Sequence, residues 1–124
     1  MHLIVDGYAT NMDLLTKEAV LKAWLLRTPE VIGMHPYGSP IVVDFPFPGK
    51  NTTALSAVLF LGESSIVVHT YSEFGFVFLD IFSCLDFSED KALKFVVDSF
   101  GLTKYLSHVI NRGVDSNGKP ILQG

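Results

Sequence analysis

The middle of the chain is a succession of short apolar segments separated by polar or glycine-containing turns. Residues 74–83 alternate strictly, with Phe76, Phe78, Asp80 and Phe82 on one side and Val77, Leu79, Ile81 and Ser83 on the other. Successive side chains of a strand point to opposite faces, so this segment predicts a strand with one face toward a core. Shorter strands are predicted at residues 2–8, 31–35, 41–45, 56–61, 66–70 and 105–112.

Two segments have the composition of helices. Residues 13–27 are rich in good helix formers, with Asn11 or Asp13 as the N-cap and Pro29 as the stop signal. Ser88 is predicted to cap a second helix, which Gly101 ends. Its apolar stripe is formed by Ala92, Leu93, Val96 and Phe100.

The predicted order of elements is therefore β-α-β-β-β-β-β-α-β. Hairpin-spaced strands with only two helices favour an α+β fold, a two-layer sandwich of an antiparallel sheet with helices on one face. A polar tail from Asp115 is expected to fray.

The bulk composition limits the class of protein. With 124 residues, 48% of them hydrophobic and 18% charged, the chain predicts a single domain, residues 1–124. The nine basic residues are scattered and the net charge is −4, so nucleic-acid binding has little support. The apolar runs are far shorter than the roughly 20 residues that span a bilayer, and residues 1–6 do not resemble a signal peptide.

Individual residue types narrow the class further. The single cysteine, Cys84, cannot form an internal disulfide, and a cytoplasmic protein is expected. Four scattered histidines have no metal-ligand spacing, so no metal site is predicted. Ten phenylalanines in so small a domain indicate a homo-oligomer that buries part of this apolar content between subunits.

The main chemical signal is a polar break between two apolar strands, Gly62-Glu63-Ser64-Ser65, which composition alone would explain as a simple turn. The longer stretch LGESSIVVHTYSEFGF at 61–76, with DIFSC at 80–84, resembles the prokaryotic S-adenosylmethionine decarboxylases. In that family Glu-Ser-His, His-Thr-aromatic-Pro-Glu and Asp-x-Phe-x-Cys segments recur at this spacing. The beginning of the chain, at 2–6, and Arg112-Gly113 also match, so the resemblance covers nearly the whole chain in order.

The resemblance implies a self-processing enzyme with a covalent pyruvoyl cofactor. Ser64 would attack the Glu63 carbonyl, convert the peptide bond to an ester and, after elimination and hydrolysis, become the pyruvoyl group. The products would be a β chain, residues 1–63, and an α chain, residues 64–124. His69 matches the residue that removes the Ser64 α-proton, Ser56 matches a serine that assists processing, and Cys84 matches the proton donor of the decarboxylation.

The chemistry of these groups is coherent. Amino-acid decarboxylation leaves a carbanion at Cα, and a pyruvoyl carbonyl can form a Schiff base with the substrate amine and delocalise that charge. A thiol with an ordinary pKa of about 8.5 is a suitable acid near neutral pH. Ser64 and His69 are five residues apart and would lie on opposite faces of a regular strand, so a bulge or irregular junction is expected at Ser64-Ser65.

The resemblance also implies the substrate, S-adenosylmethionine, decarboxylated for spermidine biosynthesis by a homodimer with active sites near the subunit interface. Tyr71 and Phe47 match two aromatic residues that sandwich the adenine, and Glu73 and Ser65 complete the predicted substrate-binding set. The chain departs from the family pattern at Ser65 (usually His), Ser72 (usually Pro), Ala57 (usually Gly) and in a longer loop before Ser56.

These departures leave two alternatives open. A pyruvoyl decarboxylase of the same architecture could take arginine or ornithine, with Glu73 or Asp80 pairing the cationic side chain. A non-catalytic homologue would never cleave and would act as a binding or regulatory subunit. The two enzyme hypotheses differ in substrate, whereas the third differs in whether the chain is cut at all.

Overall fold

The computed structural model describes residues 1–45 and 53–121. One six-stranded antiparallel sheet has the order β2-β3-β4-β5-β1-β6. Its strands are β1 (His2–Ala9), β2 (Ile41–Asp44), β3 (Leu55–Phe60), β4 (Ser65–Tyr71), β5 (Phe76–Phe82) and β6 (Leu102–Ile110). The helices α1 (Met12–Thr16), α2 (Glu18–Val31) and α3 (Glu89–Phe100) cover one face. The predicted α+β two-layer sandwich is confirmed.

The core lies between the helices and this covered face. In β5 the residues Val77, Leu79 and Ile81 are buried, as the alternation predicts. Trp24 of α2 packs edge-on against Phe100 of α3, with ring centroids 4.9 Å apart. Edge-to-face aromatic pairs of this kind stabilise a core beyond the area they bury.

The helix boundaries follow local capping chemistry where it was predicted. The Ser88 side chain accepts a hydrogen bond from the Lys91 N–H, and Asn11 accepts one from the Leu14 N–H. Gly101 ends α3 with φ +63°, a left-handed conformation that favours glycine. A Cβ at this position would also collide with Thr10. The predicted caps and the glycine stop are confirmed.

The first predicted helix is broken into two at Lys17, whose backbone is extended. The Thr70 hydroxyl of β4 donates a hydrogen bond of 2.8 Å to the Leu15 carbonyl, the acceptor that a continuous helix would offer to the Ala19 N–H. A hydrogen bond from the sheet therefore competes with the hydrogen bond within the helix. The periodicity of the sequence gives no indication of this long-range contact.

The predicted strand at 31–35 and the predicted stop at Pro29 are both wrong. Pro29 lies inside α2, which continues to Val31 and ends at Ile32. A proline in a helix loses one hydrogen bond and strains the preceding turn. Here Pro29 is buried in the core near the end of the helix, and this packing offsets the loss. The observed order is thus β-α-α-β-β-β-β-α-β.

The last strand begins earlier than predicted, and the tail after it contains a local turn. Strand β6 begins at Leu102, directly after the glycine stop, and not at 105. In the described part of the tail, Asp115 Oδ1 accepts hydrogen bonds from the N–H groups of Asn117 and Lys119, and Val114 pairs with Pro120. The aspartate closes this turn locally, as Asx turns do.

The face of the sheet opposite the helices is open. It carries exposed apolar side chains from five strands: Tyr8, Ile41, Val43, Phe60, Phe78, Leu106 and Ile110. No helix in the described ranges, 1–45 and 53–121, is long and apolar enough to cross a bilayer.

Candidate active site

The predicted cleavage junction is a tight turn between β3 and β4. Phe60 and Ser65 are paired in register, and the Leu61 N–H donates to the Ser64 carbonyl across 2.8 Å. Gly62 has φ +71°, a conformation that glycine adopts without strain. The turn therefore holds the Glu63–Ser64 peptide bond in one defined conformation at the end of the sheet.

Ser64 is buried in this turn and is 7% exposed. Its hydroxyl donates to Ser83 Oγ at 3.0 Å, and Ser83 is fully buried. Sequence reasoning did not include Ser83 among the site residues. The sequence did contain a signal for it, because Ser83 continues the alternating series Val77, Leu79 and Ile81, in which all the other side chains are apolar.

Cys84 comes from the turn after β5 and lies beside the β3–β4 turn. Its thiol donates a hydrogen bond of 2.9 Å to the Glu63 carboxylate. This hydrogen bond is the main cause that raises the pKa of Cys84, with smaller contributions from partial burial and from the negative charge of Glu63. The carboxylate thus favours the protonated thiol, the form that a proton donor needs.

A cavity of about 310 Å³ adjoins the junction. Its walls come from three segments of the chain: Met34, His35 and Tyr37; Leu61 to Ser64; and Ser83, Cys84 and Leu85. The turn after α2 thus covers the junction, and this wall comes from the segment that was wrongly predicted as a strand. We refer to Glu63, Ser64, Ser83 and Cys84 as the junction cluster.

Ser56 and His69 form a second cluster elsewhere, on the open face of the sheet. They are directly opposite each other in the pairing of β3 and β4, and Ser56 Oγ lies 2.9 Å from His69 Nδ1. His69 is exposed. The structure thus brings together these two predicted processing residues, and it keeps them apart from the junction cluster.

An aromatic cavity of about 620 Å³ lies on the same open face. Its walls are Tyr8, Tyr71, Phe74, Phe76 and Phe78. Glu73 is in the turn between β4 and β5 that borders it, and Ser65 lies on the open face near the junction. Phe47 is outside the described residues. A surface of aromatic rings is suited to a flat heterocycle, which stacks on π faces.

Of the bulge or irregular junction expected at Ser64-Ser65, the bulge is not present, and Ser64 instead lies in the turn directly before β4. Strand β4 pairs with β3 and β5 without a register shift from Ser65 to Tyr71. Ser64 faces the core side beside Ser83, whereas His69 is on the open face, four residues beyond Ser65. At roughly 3.3 Å per residue these four residues span about 13 Å. Within one copy of the chain, His69 and Ser64 are therefore not in contact.

Within the described part of the chain, no group of three His, Cys, Asp or Glu side chains could hold a metal ion. What the junction cluster offers is a buried hydroxyl next to a peptide carbonyl, together with a protonated thiol. The fold and site thus define a class, an α+β sandwich with a buried serine and a cysteine thiol at the junction between two strands.

Comparison with known proteins gives the family. The family model described as S-adenosylmethionine decarboxylase matches residues 1–113. The S-adenosylmethionine decarboxylase proenzyme of Archaeoglobus fulgidus is 29% identical over 113 residues, covering 90% of this chain and 96% of the relative. The proenzyme of Hydrogenobaculum sp. is also 29% identical, covering 98% of this chain and 89% of the relative.

A solved structure, the adenosylmethionine decarboxylase from Aquifex aeolicus, shares the fold with a TM-score of 0.71 at 16% identity. It covers 98% of this chain and 91% of that chain. The chain belongs to the S-adenosylmethionine decarboxylase family. The resemblance noted in the sequence is confirmed, and with it the predicted enzyme class, a carboxy-lyase.

Proposed function

We propose that this chain cuts itself between Glu63 and Ser64 and that the processed protein decarboxylates S-adenosylmethionine for spermidine biosynthesis. The observation that carries the proposal is the junction cluster, in which the Cys84 thiol, from the turn after β5, is hydrogen-bonded to Glu63 next to the buried Ser64 hydroxyl. The proenzyme names of the two relatives support self-processing.

The processing reaction needs only atoms of the chain and one water molecule. Ser64 Oγ attacks the Glu63 carbonyl carbon, the bond from that carbon to the Ser64 nitrogen breaks, and an ester forms. A base then removes the Ser64 α-proton, and the Glu63 carboxylate leaves with its electron pair. Hydrolysis of the remaining dehydroalanine releases ammonia and leaves a pyruvoyl group at position 64.

The residues around Ser64 fit the proposed cofactor. Residue 64 lines the 310 Å³ cavity, as Cys84 does. When formed, the pyruvoyl group supplies the electron sink for the carbanion that carbon dioxide leaves behind. Cys84 holds the proton that returns to the substrate Cα, and Glu63 keeps that proton on sulfur.

The aromatic cavity is our candidate binding site for the adenine of the substrate. Tyr71 lies on its wall, and Glu73 is in the adjoining turn where it can meet the polar part of the substrate. We propose Phe47 as the second aromatic partner and Ser65 as a polar contact near residue 64. Asp80 is less suited to bind a basic amino acid, because its carboxylate already lies 3.0 Å from His2 Nε2.

The two clusters are separate in one chain, and this separation supports a homodimer with shared active sites. The open face carries both the Ser56–His69 pair and the exposed apolar side chains, and such patches mark interaction surfaces. We propose that two copies pack these faces together. Each active site then takes Ser64 and Cys84 from one copy and Ser56, His69 and Tyr71 from the other.

The thiol chemistry also suggests the compartment. Cys84 acts as an acid only while it remains a free thiol, and the cytosol keeps thiols reduced. We therefore propose a cytoplasmic location.

Intact-mass measurement of freshly purified protein tests the self-cleavage. Two fragments that meet at 63/64, the second carrying a pyruvoyl group, are expected, and Ser64→Ala should remain a single chain. An unbroken wild-type chain would support the non-catalytic alternative. Carbon dioxide release from S-adenosylmethionine, arginine and ornithine, assayed in parallel, tests the substrate, and release from only arginine or ornithine would contradict S-adenosylmethionine.

A further inference from the structure

Ser83 touches the proposed nucleophile directly, although the proposed mechanism gives it no role. Its Oγ accepts hydrogen bonds from the Ser64 hydroxyl and from the Leu85 N–H, each at 3.0 Å. Its own N–H donates to the Met1 carbonyl at 2.9 Å, which extends the contact between β5 and β1 by one residue. Ser83 is thus held by its backbone on one side and by Leu85 on the other.

The position of Ser83 makes a serine unexpected on packing grounds alone. Ser83 directly follows β5, and the β5 residues on the same side, Val77, Leu79 and Ile81, are all buried. A buried hydroxyl is costly unless it is hydrogen-bonded, so an apolar residue would pack there more simply. The hydroxyl is accounted for by its two hydrogen bonds, one from the Leu85 N–H and one from the proposed nucleophile, Ser64.

We propose that Ser83 is a positioning residue for self-cleavage, whose hydroxyl oxygen orients the Ser64 hydroxyl for attack on the Glu63 carbonyl carbon. The inference rests on the proposed function and deepens it by assigning one step to one hydrogen bond. Ser83 Oγ accepts the hydrogen of Ser64, so the Ser64 lone pairs are directed away from Ser83 and remain available for the attack.

The step balances without any further reactant. The bond from Ser64 Oγ to the Glu63 carbonyl carbon forms, and the bond from that carbon to the Ser64 nitrogen breaks. The Ser64 hydroxyl proton moves, in net terms, to this nitrogen, which becomes an amine. Ser83 keeps its own proton, and its contribution is orientation. Misplacing a reacting group by about 1 Å can slow a reaction about 100-fold.

The test compares self-cleavage rates in Ser83 variants by intact mass over time. Ser83→Ala is expected to slow cleavage by roughly 10- to 100-fold. Ser83→Thr keeps the hydroxyl and should cleave much faster than Ser83→Val, which has the same shape without it. If Ser83→Ala folds poorly, the comparison of Ser83→Thr with Ser83→Val is the deciding one. All cleavage rates are normalised to the amount of folded protein. Thr28→Val removes a buried hydroxyl that bonds the Trp24 carbonyl and does not line the junction cavity, and it should leave the rate unchanged.

Hydroxylamine identifies the step, because it cleaves esters but not ordinary peptide bonds. If Ser83 acts in ester formation, hydroxylamine should not restore cleavage of Ser83→Ala. Rescue by hydroxylamine, equal rates for Ser83→Thr and Ser83→Val, or a wild-type rate for Ser83→Ala would overturn the inference. Failure of the wild-type chain to cleave would instead contradict the proposed function, so the two failures are distinguishable.

Discussion

Cys84 Sγ donates a hydrogen bond to Glu63 Oε2 across 2.9 Å, although the two residues are 21 positions apart in the chain. Glu63 carries the carbonyl of the proposed scissile bond, and Cys84 is the proposed proton donor of the later reaction. The contact therefore links the proposed cleavage junction to the proposed proton donor. It also raises the pKa of the thiol.

The first prediction concerns this pKa. In a Ser64→Ala background, which keeps the chain uncut, Glu63→Gln should lower the pKa of Cys84 toward its ordinary value, because the negative hydrogen-bond acceptor is lost. A lower pKa gives more thiolate at a given pH, so alkylation by iodoacetamide should reach its half-maximal rate at a lower pH. Cys84 is the only cysteine, so the reaction reports on this thiol alone. Glu89→Gln at the start of α3 is the control, and overlapping pH profiles for Glu63→Gln and the parent would contradict the prediction.

The second prediction concerns the shared active sites. Co-expressed Ser64→Ala and His69→Ala chains should form mixed dimers in which one site has both an intact Ser64 and an intact His69. The His69→Ala chain should then be cut in these mixed dimers, although neither variant alone is processed efficiently. Two affinity tags and intact mass identify which chain is cut. An absence of cleavage in isolated mixed dimers would mean that both residues must come from the same copy.

The third prediction concerns Tyr71 on the wall of the aromatic cavity. Stacking of a base on an aromatic ring is worth about 1–3 kcal/mol, so Tyr71→Ala should raise KM for S-adenosylmethionine about tenfold or more. Tyr71→Phe keeps the π face and should stay close to the wild-type KM. Steady-state kinetics on fully processed protein separates this effect from a processing defect. Equal KM values for the Ala and Phe variants would exclude stacking as the role of Tyr71.

The fourth prediction concerns Thr70, whose hydroxyl is buried and donates to the Leu15 carbonyl. The same oxygen accepts from the Leu55 N–H at 3.0 Å. Thr70→Val leaves this buried N–H without its acceptor and should lower the free energy of unfolding by about 1–3 kcal/mol. Urea denaturation in the uncut Ser64→Ala background measures the loss. Thr103→Val, at an exposed position of β6, should change stability by much less, and an equally small change for Thr70→Val would show that the hydrogen bonds contribute little.

Local signals predicted much of the fold. The alternation in residues 76–82, the Ser88 cap and the Gly101 stop all appear as expected, because each depends on neighbours within a few residues. The errors occur where distant contacts decide. Pro29 stays in its helix because it packs in the core, and the helix breaks at Lys17 where Thr70 binds the Leu15 carbonyl.

The site was predicted in the same uneven way. The sequence indicated the individual residues, and the structure pairs Ser56 with His69 and Glu63 with Cys84. Ser83 was not predicted, because the sequence does not show which side chain pairs with a polar residue that continues a buried apolar series. Phe47 lies outside the described residues and stays a prediction, as do the roles of the other site residues.

The sequence by itself determined the family, the α+β class and the identity of the polar junction at Glu63-Ser64. Only the tertiary structure decided which of these groups meet. Side-chain direction alternates along β4, and its pairing is regular, so Ser64 and His69 diverge to opposite faces in spite of their short separation in sequence. Antiparallel pairing instead brings Ser56 to His69, and the turn after β5 brings Ser83 and Cys84 to the junction.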